Sequence, residues 1–299
     1  MSAEDNGASN NTLHPDGTAP ETGRIVIKYG GNAMQDQAVK RLVVEDIVYM
    51  KKTGLEPVVV HGGGPAVSEQ MEKEGVEPEF VHGQRKTDEE TLEIAEKVLS
   101  GKVNKELVRL VNEMGEKAVG ISGKDGRMIR AHKLEKEIES GDTVKMVDLG
   151  RVGEVYEVDT TLIESLLDED FIPIISPICT GEDDNDFNVN ADMLAGEVAS
   201  NIDADSLVYL TNVNGIRERE DDPDSRIKSL QAEEAASLIG TVVQGGMIPK
   251  VESAVKAVNA GVDTVRIIDG TAAHSLKKSF EGNRDVGTVI YSTDEGERA

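Results

Sequence analysis

The chain has 299 residues, 38% hydrophobic and 30% charged, and its 57 acidic side chains against 32 basic ones leave a net charge of −25. That balance argues against nucleic acid or an anionic membrane as a partner. No apolar run approaches the roughly 18–20 residues of a membrane span, so the composition is that of a soluble protein, long enough for one large core or two lobes.

The N-terminal stretch MSAEDNGASNNTLHPDGTAPETG is polar and acidic and lacks the basic and apolar regions of a secretory signal. Residues 1–23 are expected to form a disordered tail, since they hold too little apolar surface to offset the entropy of ordering. Ile25, Val26 and Ile27 then form a short apolar run closed by Lys28, and after Tyr29 the chain turns through Gly30-Gly31. Val39, Leu42, Val43, Ile47 and Met50 follow at helical spacing. EPVVVHGGG reads as a strand of valines running into Gly62-Gly63-Gly64 and a helix over 66–74. Thr87-Asp88-Glu89-Glu90 fits a capping box. It opens a long amphipathic segment carrying Leu92, Ala95, Leu99, Val103, Leu107 and Leu110, with Gly101 as the place where it would bend.

Between 118 and 158 the pieces AVGIS, MIRAHKL, VKMVD and GEVYEVD are expected to form hairpins inserted over the main sheet. The earlier rhythm resumes with a helix over 160–168, the strand FIPIISPI, a helix over 191–202 and the strand SLVYLT. Helices over 232–239 and 250–260 and the closing strands TVRIID and GTVIYS complete it. Strands alternating with helices predict an α/β protein whose mostly parallel sheet is covered on both faces and shared by two lobes. One lobe is expected over 24–176, the other over 177–292, with a polar tail at 293–299.

In such sheets ligands bind beyond the carboxyl ends of the strands. Gly30-Gly31 and Gly62-Gly63-Gly64 both follow strands. Without Cβ atoms they let backbone N–H groups approach an anion, and the helix after the second cluster adds its dipole. Neither cluster is a Walker A or G-x-G-x-x-G motif, and either could be a plain turn. Lys28 is either a strand-end lysine reaching solvent or a point charge aimed at a phosphate on those amides. Lys250, in the first turn of a helix after Gly245-Gly246, opposes the helix dipole unless an anion faces it. Asn188, Asn190 and Asp192 surround a helix start that needs only one of them as its cap. Asp192 could hold two lysines together, and Arg85 is either an exposed loop residue or a clamp on a carboxylate. Cys179, the one cysteine, excludes an internal disulfide and reads as a small buried residue of a cytoplasmic protein. Five scattered histidines show no metal-ligand spacing.

The segments KYGGNAM, VVHGGGP, GQRKTDEET, GKVNKELV, NVNADMLAG, LTNVNGI and GGMIPKV, in this order, resemble the amino-acid kinase family over about 25–290. They look most like its members that act on N-acetyl-L-glutamate. The resemblance implies an αβα sandwich and ATP-dependent phosphorylation of the side-chain carboxylate of N-acetyl-L-glutamate, in arginine biosynthesis. By the same resemblance Lys28 and Lys250 would neutralise the transferred phosphoryl group, Gly31 and Gly63 would donate backbone N–H bonds to it, and Asp192 would hold both lysines. Arg85 and Asn188 would fix the substrate α-carboxylate, with Gly63-Gly64 close to the substrate. Gly30 would stand with Gly31 among the phosphate- and nucleotide-binding residues. Segments 212–216 and 242–247, including Asn212, Val213, Gly215, Gly246 and Met247, would border the nucleotide, and Mg²⁺ would arrive with ATP rather than on protein ligands. A homodimer through the helix over 88–112 is implied as well. Asn212 departs from the Asp frequent at that place. The tail shows none of the amphipathic helix of arginine-inhibited members, so a plain dimer without arginine inhibition is expected. Two other readings stay open: a kinase for glutamate or aminoadipate attached to a carrier protein, and a non-catalytic metabolite sensor or target of a nitrogen-signalling partner.

Overall fold

Alternating side chains on the first strand set the architecture. In the computed structural model, which describes residues 23–81, 83–140, 143–182, 185–219, 221–281 and 286–292, Ile25 and Ile27 point to one face of the sheet and Val26 to the other. The valines of the second strand divide the same way, Val58 and Val60 on one face and Val59 on the opposite one. A strand buried on both faces must read as an unbroken apolar run, as these two do. The expectations for residues 1–22 and 293–299 lie outside the described residues.

The elements in order are β1 (Gly23–Tyr29), α1 (Gln37–Lys52), β2 (Leu55–His61), α2 (Gly64–Glu74), β3 (Phe80–Val81), β4 (Gln84–Arg85) and α3 (Glu89–Glu96). A π-helical turn (Lys97–Val103) joins α3 to α4 (Asn104–Glu113), and β5 (Ala118–Ser122), β6 (Ile129–Ser140), β7 (Thr143–Val158) and α5 (Thr161–Asp168) follow. Then come β8 (Ile172–Ser176), β9 (Ile178–Thr180), β10 (Asp186–Val189), α6 (Ala191–Asn201) and β11 (Ser206–Thr211). The chain closes with β12 (Ser229–Gln231), α7 (Ala232–Ser237), α8 (Ile248–Asn259), β13 (Thr264–Asp269), α9 (Ser275–Phe280) and β14 (Thr288–Tyr291).

Eight strands form one sheet in the order β12-β14-β13-β11-β1-β2-β8-β5. The run from β13 through β11, β1, β2 and β8 to β5 is parallel, and β14 is antiparallel to β13. Helices α5, α6, α7 and α8 bury Ile163, Leu194, Ala235 and Val251 on the Val26 face. Helices α1, α2, α3, α4 and α9 bury Val44, Val67, Ile94, Leu107 and Leu276 on the other. Each of the Val, Leu and Ile side chains among them contributes about 1.5–3 kcal/mol relative to exposure, so the αβα sandwich is held from both sides. No helix among the described residues is long and apolar enough to cross a membrane.

Three local expectations are corrected. AVGIS is not part of an inserted hairpin: Ala118–Ser122 is the edge strand β5, in register beside β8. FIPIISPI is not one strand, because the chain leaves the sheet at Pro177 and continues as β9 in a small closed barrel with β6, β7 and β10. The cap of α3 is Asp88, whose carboxylate accepts from Thr91 N at 2.8 Å. Thr87 is unavailable for that role, being bridged to Gly150 of β7 with its hydroxyl donating to Arg85 O.

Candidate functional site

Parallel pairing brings Tyr29 level with His61, so β1 and β2 end side by side and release their glycine clusters at one place. Gly62 N donates to Tyr29 O at 2.8 Å, tying the two turns together. A Cβ on Gly30 would stand 2.6 Å from Lys28 Nζ, so that turn admits only hydrogen while the lysine curls back over it. A Cβ on Gly63 would stand 2.6 Å from Leu99 Cδ2 of the π-helical turn.

Lys28 shares its face of β1 with Val26, the face on which α6 packs. Its ammonium reaches Asp192 Oδ1 at 2.9 Å. Lys250 Nζ donates to Asp192 Oδ2, also at 2.9 Å, and to Gly246 O at 3.2 Å. Asn190 is the cap of α6, its side chain accepting from Asp192 N at 2.8 Å. One residue of the three thus serves as cap, leaving Asn188 facing the cavity and Asp192 free to bind lysines. Burial alone would push the Asp192 carboxyl up, but the two ammonium groups outweigh it and hold it below its ordinary range. The backbone of Asp192 is gripped as well, since Ser253 Oγ donates to its carbonyl at 2.9 Å and Tyr209 OH donates to Ser253 Oγ at 2.6 Å. This grip links α8, which carries Lys250, to α6.

A cavity of about 230 Å³ opens beside these groups. Of the candidate residues singled out above, Lys28, Gly31, Gly62, Gly63, Gly64, Arg85, Asn188, Asn190 and Asp192 line it. Arg85 is buried, donating to Gly64 O at 2.9 Å and Ser68 Oγ at 2.7 Å. None of the described carboxylates pairs with it, and burial lowers its guanidinium from the usual value. A buried cation among neutral partners is suited to receive an anion. Gly30 stands behind the lining, and Lys250 meets it through Asp192. Asn212, Val213, Gly215, Gly246 and Met247 lie outside this lining, on the loop after β11 and in the turn before α8. There Gly215 N donates to Val213 O at 3.0 Å, and Thr211 Oγ1 donates to Asn212 Oδ1 at 3.3 Å.

The apolar wall of the cavity went unrecognised in the sequence: Val67, Phe80, Leu99, Val152, Pro177 and Val189 complete it. Phe80 pairs with Arg85 across the β3–β4 hairpin, and the guanidinium carbon sits 4.7 Å from the ring centroid. Two short β-like pieces around Gly83 were the signal that could have found it. Val152 arrives from β7 by pairing with Asn188 of β10, and nothing in the local sequence announces that. Among the described residues no group of three or more His, Cys, Asp and Glu is arranged to hold a metal ion.

The amino acid kinase family model matches residues 23–269. The acetylglutamate kinase of Caldanaerobacter subterraneus subsp. tengcongensis is 46% identical over 267 residues, 89% of this chain and 86% of that protein. That of Aquifex aeolicus is 47% identical over 273 residues, 89% of this chain and 91% of its own length. Among solved structures, N-acetylglutamate synthase from Neisseria gonorrhoeae, complexed with coenzyme A and N-acetyl-glutamate, is similar with a TM-score of 0.74 and 25% identity. The match covers 90% of this chain, which spans 59% of the synthase chain.

Proposed function

The chain belongs to the amino acid kinase family, and from that premise we propose that it is an acetylglutamate kinase, an enzyme that uses ATP to phosphorylate the side-chain carboxylate of N-acetyl-L-glutamate. The observation that carries the reading is one buried carboxylate, Asp192, holding Lys28 and Lys250 at 2.9 Å each beside a small cavity that also contains Arg85.

The substrate carboxylate is already ionised at neutral pH, so no general base is needed. One of its oxygens forms the new bond to the γ-phosphorus as the bond from that phosphorus to the β–γ bridging oxygen breaks. ADP leaves with the bonding pair. The obstacle is repulsion between two anions, and phosphoryl transfer depends mainly on alignment and on charge at the equatorial oxygens. Lys28 meets those oxygens from the strand side and Lys250 from the nucleotide side. Gly31 and Gly63 donate backbone N–H bonds, and Asp192 keeps the two ammonium groups from repelling each other apart. Arg85 and Asn188 take the α-carboxylate, with Gly64 beside the substrate and the apolar wall receiving its acyl group. The cavity beside Arg85 receives the acylated amino acid. ATP lies outside it, bordered by Gly30 and by Asn212, Val213, Gly215, Gly246 and Met247, and brings Mg²⁺ as part of the MgATP substrate, held by phosphates and water. Residues 24–176 form the acyl-amino-acid lobe and 177–292 the ATP lobe of a cytoplasmic homodimer, which sedimentation velocity with and without arginine tests.

Purified protein should release ADP from ATP with N-acetyl-L-glutamate, form a product trapped by hydroxylamine, and be inactive on free glutamate. Turnover only of a carrier-linked glutamate or aminoadipate would overturn the reading. Lys28→Ala and Lys250→Ala should each lower kcat by about 10²–10³ with the fold retained. Near-normal turnover in either removes that lysine from the mechanism.

A further inference from the structure

Behind the glycine loop lies a titratable side chain to which the reaction gives no part. His61 and Asn104 are both 0% exposed. His61 Nδ1 is 2.8 Å from Gly62 O, and its Nε2 is 3.2 Å from Asn104 Nδ2. The same amide nitrogen lies 2.8 Å from Ile174 O and 3.3 Å from Ile121 O, and carbonyls can only accept, so Nδ2 is the donor there. His61 Nε2 must therefore accept, and its one proton sits on Nδ1, donated to the Gly62 carbonyl. Gly62 N is already committed to Tyr29 O. Both polar groups of Gly62 are thus held, one by β1 and one by the imidazole.

The consequence falls on the next peptide unit. The C=O of Gly62 and the N–H of Gly63 belong to one planar trans unit and point in opposite directions. Gly62 and Gly63 line the cavity and His61 does not, so a carbonyl drawn toward the imidazole turns away from the cavity. Two adjacent glycines leave such a unit unusually free to rotate as a whole, and a reversed unit would present a carbonyl oxygen to the transferred phosphoryl group.

We propose that His61, oriented by Asn104, is a positioning residue for phosphoryl transfer: it holds the Gly62–Gly63 peptide so that Gly63 N–H faces the incoming phosphoryl oxygens. This rests on the acetylglutamate kinase reading and adds to it a group outside the cavity. Burial, with Lys28 close by, lowers the imidazole to about 4, so it stays neutral and keeps its single Nδ1 proton at neutral pH. Asn104 stands immediately after the π-helical turn that presses Leu99 against Gly63, so one helical irregularity supplies both supports of the loop.

The test uses steady-state kinetics of the full chain with ATP and N-acetyl-L-glutamate, wild type alongside His61→Leu and His61→Asn. His61→Leu has no donor for Gly62 O; kcat should fall about tenfold or more, with both KM values within about threefold. His61→Asn, whose amide nitrogen replaces Nδ1, should recover most of that loss. Should His61→Leu fail to fold, Asn104→Ser serves instead: it frees Nε2 to take the proton, and kcat should fall with little change in KM. Turnover within about twofold of wild type in His61→Leu or, in its place, Asn104→Ser overturns the inference. So does His61→Asn no better than His61→Leu at equal Tm. A wild type that leaves N-acetyl-L-glutamate untouched would refute the parent reading instead, which keeps the two failures apart.

Discussion

Asp192 is 6% exposed, and a carboxylate so buried must be compensated. It receives that compensation from Lys28 and Lys250, one on each oxygen. Asp192→Asn leaves the buried Lys28 ammonium facing the partly exposed Lys250 one without a carboxylate between them, and should cost about 3 kcal/mol, read as a loss in urea unfolding. His61 makes a separate prediction about acid. Its imidazole is lowered by burial from 6.5 to about 4, so between these values the unfolded chain binds a proton that the folded one refuses. Stability then rises with pH across this window. The histidine lowers stability progressively as pH falls from about 6.5 to about 4, by about 3 kcal/mol in all. His61→Asn should remove that part of the slope in unfolding measured from pH 7 to pH 4; an unchanged slope would show that the group is not buried neutral.

The π-helical turn explains why one long helix does not run unbroken from α3 to α4. Its extra residue per turn carries Leu99 onto Gly63 and Asn104 onto His61. Gly63→Ala would drive a Cβ into Leu99 and should destabilise by about 1–3 kcal/mol while cutting activity. Adding Leu99→Ala opens the space, so the double variant should regain part of the activity. Strictly additive losses in that double-mutant cycle would rule out the contact as the cause. The start of α8 shows the same coupling of element and site. Lys250 in its first turn opposes the helix dipole, and Asp192 on α6 supplies the opposing anion.

At the scale of the molecule, the charge of −25 acts on the whole surface. Self-repulsion weakens the compact state, and raising salt from about 0.1 M to 1 M shortens the Debye length from about 10 Å to 3 Å. Tm should therefore rise over that range in NaCl, measured by calorimetry. A Tm highest in dilute buffer would mean that local ion pairs such as Lys40–Glu106 outweigh the repulsion. Against that repelling background, the enclosed cations Arg85 and Lys28 form a local positive region at the cavity.

Residues near in sequence carried much of this protein in plain view. The apolar runs at Ile25 and Val58 announce buried parallel strands, the glycines after them mark where the cavity lies, and Lys250 stands out because it contradicts its own helix dipole. These signals were legible because period, propensity and helix electrostatics act within a few residues. Partnership was not legible. That Lys28 and Lys250, 222 positions apart, share one carboxylate depends on β1 and α6 meeting on one face of the sheet. Val152 joins the cavity by strand pairing, AVGIS is an edge strand because β8 offers a free side, and His61 acquires its tautomer from Asn104. Each of these is a contact between segments far apart in the chain, and the free energy that selects it belongs to the packed whole.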